Sequence, residues 1–297
     1  MSAPRFVVPG VTYLLSRRCF SRQFLLRPSR KVNQIFEFCL AVAAARTGCE
    51  VHAYCMLSNH YHLVVTDIRG NLPVFMHWLN EYVAKCGNRE MGRWESFWAP
   101  GSYSQVSLSD EEDVIDKLVY TYTNPVSACL VPKFRQWPGA HSTPEAMTEP
   151  AVIVDRPKGF FRPDGHVPSH QPLKLVLPPA FLGRPAWLRD LEARITAREA
   201  ELHSKFDRKH QRFLGRRRAL KQSTTARPTG REPRRGLNPR VAGRDKWKRV
   251  ESLQRLRRFL LGYRSAWRHF AEGDRSVMFP FGTYAMRVQF HVMCSGP

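Results

Sequence analysis

The sequence predicts an α+β fold, and three observations carry that prediction. Short β-rich apolar runs alternate with longer stretches whose apolar residues recur every three or four positions. Glycine, proline, serine and asparagine punctuate the boundaries. The resulting order, strand–helix–strand–strand–helix–strand, is that of a ferredoxin-like antiparallel sheet with helices on one face. One more helix follows, and then a basic, mainly helical C-terminal region.

The first strand is expected from Val11 to Cys19, entered from Pro9-Gly10. Ser29 is placed to cap a helix over about 31–46, where Ile35, Phe36, Phe38, Cys39, Val42 and Ala43 share a helical spacing and Gly48 follows as a stop. Val51 to Leu57 reads as the second strand. Ser58-Asn59 is short enough for the third strand, His60 to Val65, to return as a hairpin, with Asn59 holding the turn by bonding backbone. Leu72 to about Asn88 is the next helix, with Phe75, Trp78, Leu79, Tyr82 and Val83 as its core stripe; His77 beside them is assigned a structural role. An aromatic loop, Gly92 to Gly101, leads to an alternating strand at 102–108. Ser109-Asp110-Glu111-Glu112 marks a helix start, acids at the positive end of the dipole. That helix is expected to stop near Thr123, because Pro125 disfavours helical geometry at Asn124.

The chain has 297 residues, 47 of them Lys or Arg and 25 Asp or Glu, for a net charge of +22. Residues 1–150 hold 15 basic and 13 acidic side chains, which leaves 32 and 12 for the remainder. A nearly neutral front half joined to a strongly basic rear half suggests a chemical domain with a polyanion-binding appendage. Seven cysteines with no C-x-x-C pair indicate neither a disulfide framework nor a zinc framework. No apolar run is long enough for a membrane span, and a cytoplasmic, nucleoid-associated protein is expected.

Two stretches carry chemistry. In His60-Tyr61-His62, alternation along a strand puts both imidazoles on one face. Two such nitrogens begin a divalent-metal site and leave positions for oxygen ligands; taken alone, the pattern more often marks packed or solvated histidines. In Tyr120-Thr121-Tyr122-Thr123-Asn124-Pro125-Val126, Tyr120 and Asn124 are one helical turn apart. Over the histidine face, Asn124 can give a carbonyl oxygen to a metal and Tyr120 can attack a bound phosphodiester. The residues alone leave open that both tyrosines merely pack and that Asn124 caps the helix.

His60-Tyr61-His62 resembles the histidine motif of HUH endonucleases, and Tyr120-x-x-x-Asn124-Pro125-Val126-x-Ala128 resembles the tyrosine helix of their single-tyrosine transposases. Residues Ala53 to Asn59 and the aromatic loop at 92–97 are most similar to the REP-associated tyrosine transposases. The resemblance spans about 5–135. It implies a ferredoxin-like catalytic domain that cuts single-stranded or hairpin DNA with Mg2+ or Mn2+ through a 5′-phosphotyrosine. It further implies Tyr120, not Tyr122, as nucleophile, with His60 and His62 as metal ligands. Asn124 stands where the family has a Gln or another polar third ligand, and its shorter side chain departs from the Gln pattern.

Residues 1–135 are therefore assigned to a catalytic domain and 136–186, rich in Pro and Gly, to a linker with little regular structure. Residues 187–297 form a basic C-terminal region, with an Arg-rich flexible segment at about 207–245. Trp187–Phe206 and Trp247–Phe270 are its expected helices, the second with Val250, Leu253, Leu256, Leu260 and Trp267 as its apolar side. A final strand is expected from Tyr284 to Met293. Arg17, Arg18, Arg216, Arg217, Arg218, Arg234 and Arg235 are candidate DNA contacts. The leading reading is a DNA transposase acting as a monomer or homodimer, with no membrane partner. The alternative is a degenerate or domesticated nucleic-acid-binding protein, which would form no covalent adduct. A conventional metal hydrolase is disfavoured because no carboxylate cluster accompanies the motifs.

Overall fold

The computed structural model describes residues 4–230 and 240–296. Its strands and helices run β1 Val11–Arg18, α1 Arg30–Thr47, β2 Cys49–Met56, β3 His60–Asp67, α2 Leu72–Glu90, β4 Ser104–Leu108, α3 Glu111–Ser127, β5 Val152–Asp155, β6 His170–Leu173, α4 Trp187–Arg208, α5 Arg216–Leu220, β7 Val241–Ala242, α6 Lys246–Ala271 and α7 Ala285–Phe290. The fold is α+β. The sheet order is β2-β3-β1-β4-β7, antiparallel throughout its first four strands, which is the ferredoxin-like arrangement; β7 adds a short parallel edge.

Local signals act where the sequence places them. Ser29 Oγ accepts the Val32 amide at 3.1 Å and caps α1, and Gly48, at φ 71°, ends it. Helices α1 and α2 cover one face of the sheet. There Phe36 meets Tyr61 and Tyr54, and the Tyr61 hydroxyl donates to Asn80 of α2. Helix α3 crosses the other face. Asp110 caps it by accepting the Asp113 amide at 2.9 Å.

Three local expectations are corrected. Helix α3 continues to Ser127 with Pro125 inside it. A proline so near the end deletes one helical hydrogen bond, while Pro125 and Val126 are buried and the next amides are bonded, Ala128 to Asn124 and Leu130 to Pro125. The final strand is replaced by α7, whose Met286 packs with Ala266 and Phe279. A helix satisfies its own amides, where a strand with no neighbour would leave a row of them unpaired. On α6 the buried residues are Phe259 and Ala266, and Leu253 is exposed. His77 is exposed and pairs with Glu81.

The Pro/Gly-rich stretch 136–186 carries more order than its composition suggests. Edge strand β2 would otherwise present unpaired amides and carbonyls. The Met56 amide donates to Ala140, the Ser142 amide donates to Tyr54, and the Val176 amide donates to Val51. Trp137, 2% exposed, gives its indole N–H to the Met56 carbonyl at 2.8 Å. The β5–β6 hairpin lies on α1, and Val154, Leu173, Leu175 and Phe181 join the main core. Helix α4 packs on α3 through Leu191, Ile195, Leu202 and Phe206. Among the described residues no helix is long and apolar enough to cross a membrane.

Candidate active site

The site is built where β3 passes under α3. Pairing of β3 with β1 sets Arg18 opposite His60, Arg17 opposite Tyr61 and Ser16 opposite His62. Residues opposite one another in an antiparallel pair point to the same face. His60, His62, Ser16 and Arg18 therefore share the α3 face, and Tyr61 and Arg17 face α1 and α2. The two imidazoles are 5.0 Å apart between ring centroids and nearly perpendicular.

Tyr120 comes down onto this pair from α3. Its ring stands edge-on to His62 at 5.1 Å, and its hydroxyl is 3.5 Å from His62 Nε2, the outer limit of a hydrogen bond. Tyr120 is 39% exposed, so its side chain is open to solvent beside the histidine pair. Tyr122, two positions on, turns to the other side of the helix. It is 2% exposed and packs against Phe134, and burial raises its hydroxyl pKa further above the ordinary phenol value. Asn124 lies one turn beyond Tyr120 on the same helix and is 6% exposed.

Two imidazole nitrogens on one strand face, with positions left for oxygen ligands, can hold a divalent cation. Burial, reinforced by the neighbouring His60, holds the His62 pKa well below that of an ordinary histidine, so its imidazole is neutral and keeps a lone pair. His62 Nδ1 is buried without a hydrogen-bond partner. Among the described residues no third His, Cys, Asp or Glu completes a metal-holding group, which leaves the Asn124 carbonyl, water and a phosphate oxygen as candidate further ligands.

The candidate DNA contacts separate by place. Arg18 is exposed at the His60 end of the site. Arg17 spends its guanidinium on the Gly101 carbonyl at 2.8 Å and the Ala99 carbonyl at 3.3 Å, fixing the loop before β4. Arg216, Arg217 and Arg218 are exposed on the single-turn helix α5, whose Ala219 is anchored with Cys55, Leu57 and Trp137 beside the β2–β3 turn. Arg234 and Arg235 lie outside the described residues. The sequence reading missed that Asn59 bonds the His60 ring, with its Oδ1 2.7 Å from His60 Nδ1. Adjacency in a two-residue turn was the only signal available.

No family model matches the sequence, and no curated protein matches it. Solved structures are similar to it. One is a REP-associated tyrosine transposase bound to a REP hairpin, 17% identical, with a TM-score of 0.42 over 57% of this chain and 93% of that one. Another is a candidate transposase from Deinococcus radiodurans R1, 19% identical, with a TM-score of 0.30 over 39% of this chain and 93% of that one.

Proposed function

We propose that the protein is a metal-dependent, single-tyrosine DNA transposase that cuts and rejoins single-stranded or hairpin DNA. The observation that carries this reading is the convergence of an exposed tyrosine hydroxyl with a strand-borne histidine pair, Tyr120 Oη lying 3.5 Å from His62 Nε2 while the neighbouring Tyr122 is sealed in the core.

In this reading Tyr120 is the nucleophile. Its oxygen attacks phosphorus as its proton leaves, the bond from phosphorus to the 3′ oxygen breaks, and that oxygen departs as a free hydroxyl once protonated. The product is a 5′-phosphotyrosine, which conserves the energy of the ester so that an incoming 3′ hydroxyl can reverse the step. Mg2+ or Mn2+ held by His60 and His62, with the Asn124 amide as third protein ligand, would polarise the phosphate and offset the charge that develops on it. Strand β3 holds both imidazoles on one face, and α3 brings the Tyr120 hydroxyl to within 3.5 Å of His62 Nε2. Arg18, exposed opposite His60, is placed to neutralise a neighbouring phosphate, and Arg216 to Arg218 to bind flanking strand.

The test is incubation of the full chain with end-labelled single-stranded hairpin DNA from sequence flanking its gene, in Mn2+, followed by denaturing gels. A covalent protein–DNA band that Tyr120→Phe abolishes is expected. Sequence-independent binding with no adduct in any metal would instead favour a nucleic-acid-binding protein that has lost the chemistry.

A further inference from the structure

Asn59 makes two side-chain contacts that together fix a proton. Its amide nitrogen donates to the Arg22 carbonyl at 3.3 Å, and its Oδ1 lies 2.7 Å from His60 Nδ1. A backbone carbonyl can only accept, so the NH2 end of the amide must face Arg22 and the oxygen must face the imidazole. An amide oxygen is likewise only an acceptor, so His60 Nδ1 must carry the hydrogen. The neutral ring then bears its lone pair on Nε2. Free neutral imidazole prefers the opposite tautomer, with the proton on Nε2.

Asn59 is itself held. The Arg22 carbonyl is aimed by two successive residues in the left-handed region, Ser21 at φ 47° and Arg22 at φ 59°. Non-glycine residues stay there only where their surroundings impose it. Those surroundings include the rear half of the chain. The Arg22 guanidinium donates to the carbonyls of Gly230 and Pro228, the Phe24 amide donates to Ala226, and Ser58 Oγ donates to Gln222 Oε1 at 2.6 Å. The segment 222–230 thus braces both sides of the turn that carries Asn59.

We propose that Asn59 is a positioning residue, which locks His60 in the Nδ1–H tautomer and so presents Nε2 to a divalent cation. The tautomer follows from the two Asn59 contacts, and the cation rests on the metal site of the proposed function. The experiment uses uniformly 15N-labelled full-length protein, free of metal, above pH 8. Long-range 1H–15N correlations report which nitrogen of His60 is protonated, and Mn2+ affinity is measured in parallel by electron paramagnetic resonance. Wild type should show His60 protonated at Nδ1. Asn59→Ala should move the proton toward Nε2 and weaken Mn2+ binding by about 10–100-fold, as loss of an outer hydrogen-bond partner does. Asn59→Asp, which keeps an acceptor at the same place, should retain the wild-type tautomer. An Nε2–H tautomer in wild type overturns the proposal without recourse to any variant, as does Asn59→Ala with tautomer and affinity unchanged. If wild type binds no Mn2+ but shows Nδ1–H, Asn59 still sets the tautomer and it is the metal in the proposed function that fails.

Discussion

Trp137→Ala tests whether the stretch after the tyrosine helix is part of what holds the active site. The indole is 2% exposed and packs with Cys55, Leu57, Val131 and Ala219. Its N–H is bonded to the carbonyl of Met56, the last residue of β2 before the turn that leads to His60. Truncating a buried Trp to Ala costs about 3–5 kcal/mol. The Met56 carbonyl also loses its donor, and a buried group left unsatisfied costs about 1–3 kcal/mol. Against a total stability of about 5–15 kcal/mol, that is about a quarter or more of the whole. With a urea slope of about 2–3 kcal/mol/M, the unfolding midpoint should fall by about 1–4 M. Trp137→Phe keeps most of the ring and loses the bond, and should fall by less. Gly139 offers a second handle, because a Cβ there would overlap both the indole nitrogen and the Met56 oxygen; Gly139→Ala must disturb their contact. Urea titrations followed by circular dichroism at constant slope give the numbers. A Trp137→Ala protein with an unchanged midpoint would refute the reasoning and leave 136–186 as a dispensable connection.

Three other outcomes are expected. Tyr120→Phe should abolish the covalent adduct while leaving DNA affinity nearly unchanged, and Tyr122→Phe should retain cleavage; adduct gels and filter binding separate the two, and a reversed result would move the nucleophile. His60→Ala or His62→Ala should reduce cleavage by orders of magnitude, and EDTA should mimic either change; full activity in chelator would remove the metal. His52 is buried between the Val176 carbonyl and Thr66 Oγ1, both at 2.7 Å, and burial lowers its pKa to about 4. The unfolded chain therefore binds a proton from about pH 6.5 downward that the folded one refuses until about pH 4, so acidification across that window removes about 3 kcal/mol of stability. In urea titrations at pH 7 and pH 4, the wild-type advantage over His52→Gln should shrink by about that amount; an unchanged difference would mean that His52 protonates freely in the fold.

The central fold was legible because its signals are local. Strand alternation put His60 and His62 on one face, the caps at Ser29 and Asp110 marked where α1 and α3 begin, and the order of elements set the ferredoxin-like arrangement. Tyr120 and Asn124 were legible as a pair from helical spacing alone. The contrast between Tyr120 and Tyr122 was not, because it depends on which side of α3 the sheet and Phe134 occupy. The stretch 136–186 misled for another reason. Proline and glycine report the absence of regular backbone and say nothing about burial, so Trp137 and the edge-covering Ala140 and Ser142 could not be told from exposed loop. The arginines at 17 and 18 read alike in sequence, and only the register with β3 sends Arg18 to the histidine face and Arg17 away from it.

The charge asymmetry divides in the same way, by what each cation faces. The acids that open α3 were read as complements to a helix dipole. In the fold they also receive the rear half of the chain: Glu111 pairs with Arg184, Glu112 with Arg184 and Arg194, Asp116 with Arg244 and Asp110 with Lys248, while Asp113 accepts the Arg244 amide at 2.9 Å. Pairs this exposed contribute about 0–1 kcal/mol each, so they orient the docking more than they stabilise it. Stability of the contact comes from Leu191, Ile195, Leu202 and Phe206 on α4. The paired basic residues set where α4 and α6 lie against α3, the helix that carries Tyr120. Arg216 to Arg218 are exposed, and their helix is fixed instead by the apolar contact of Ala219. One basic region thus holds two populations of cations, one engaged with the tyrosine helix and one turned to solvent where a phosphate backbone can reach it. Net charge counts both alike, and only the position of the α3 carboxylates distinguishes them.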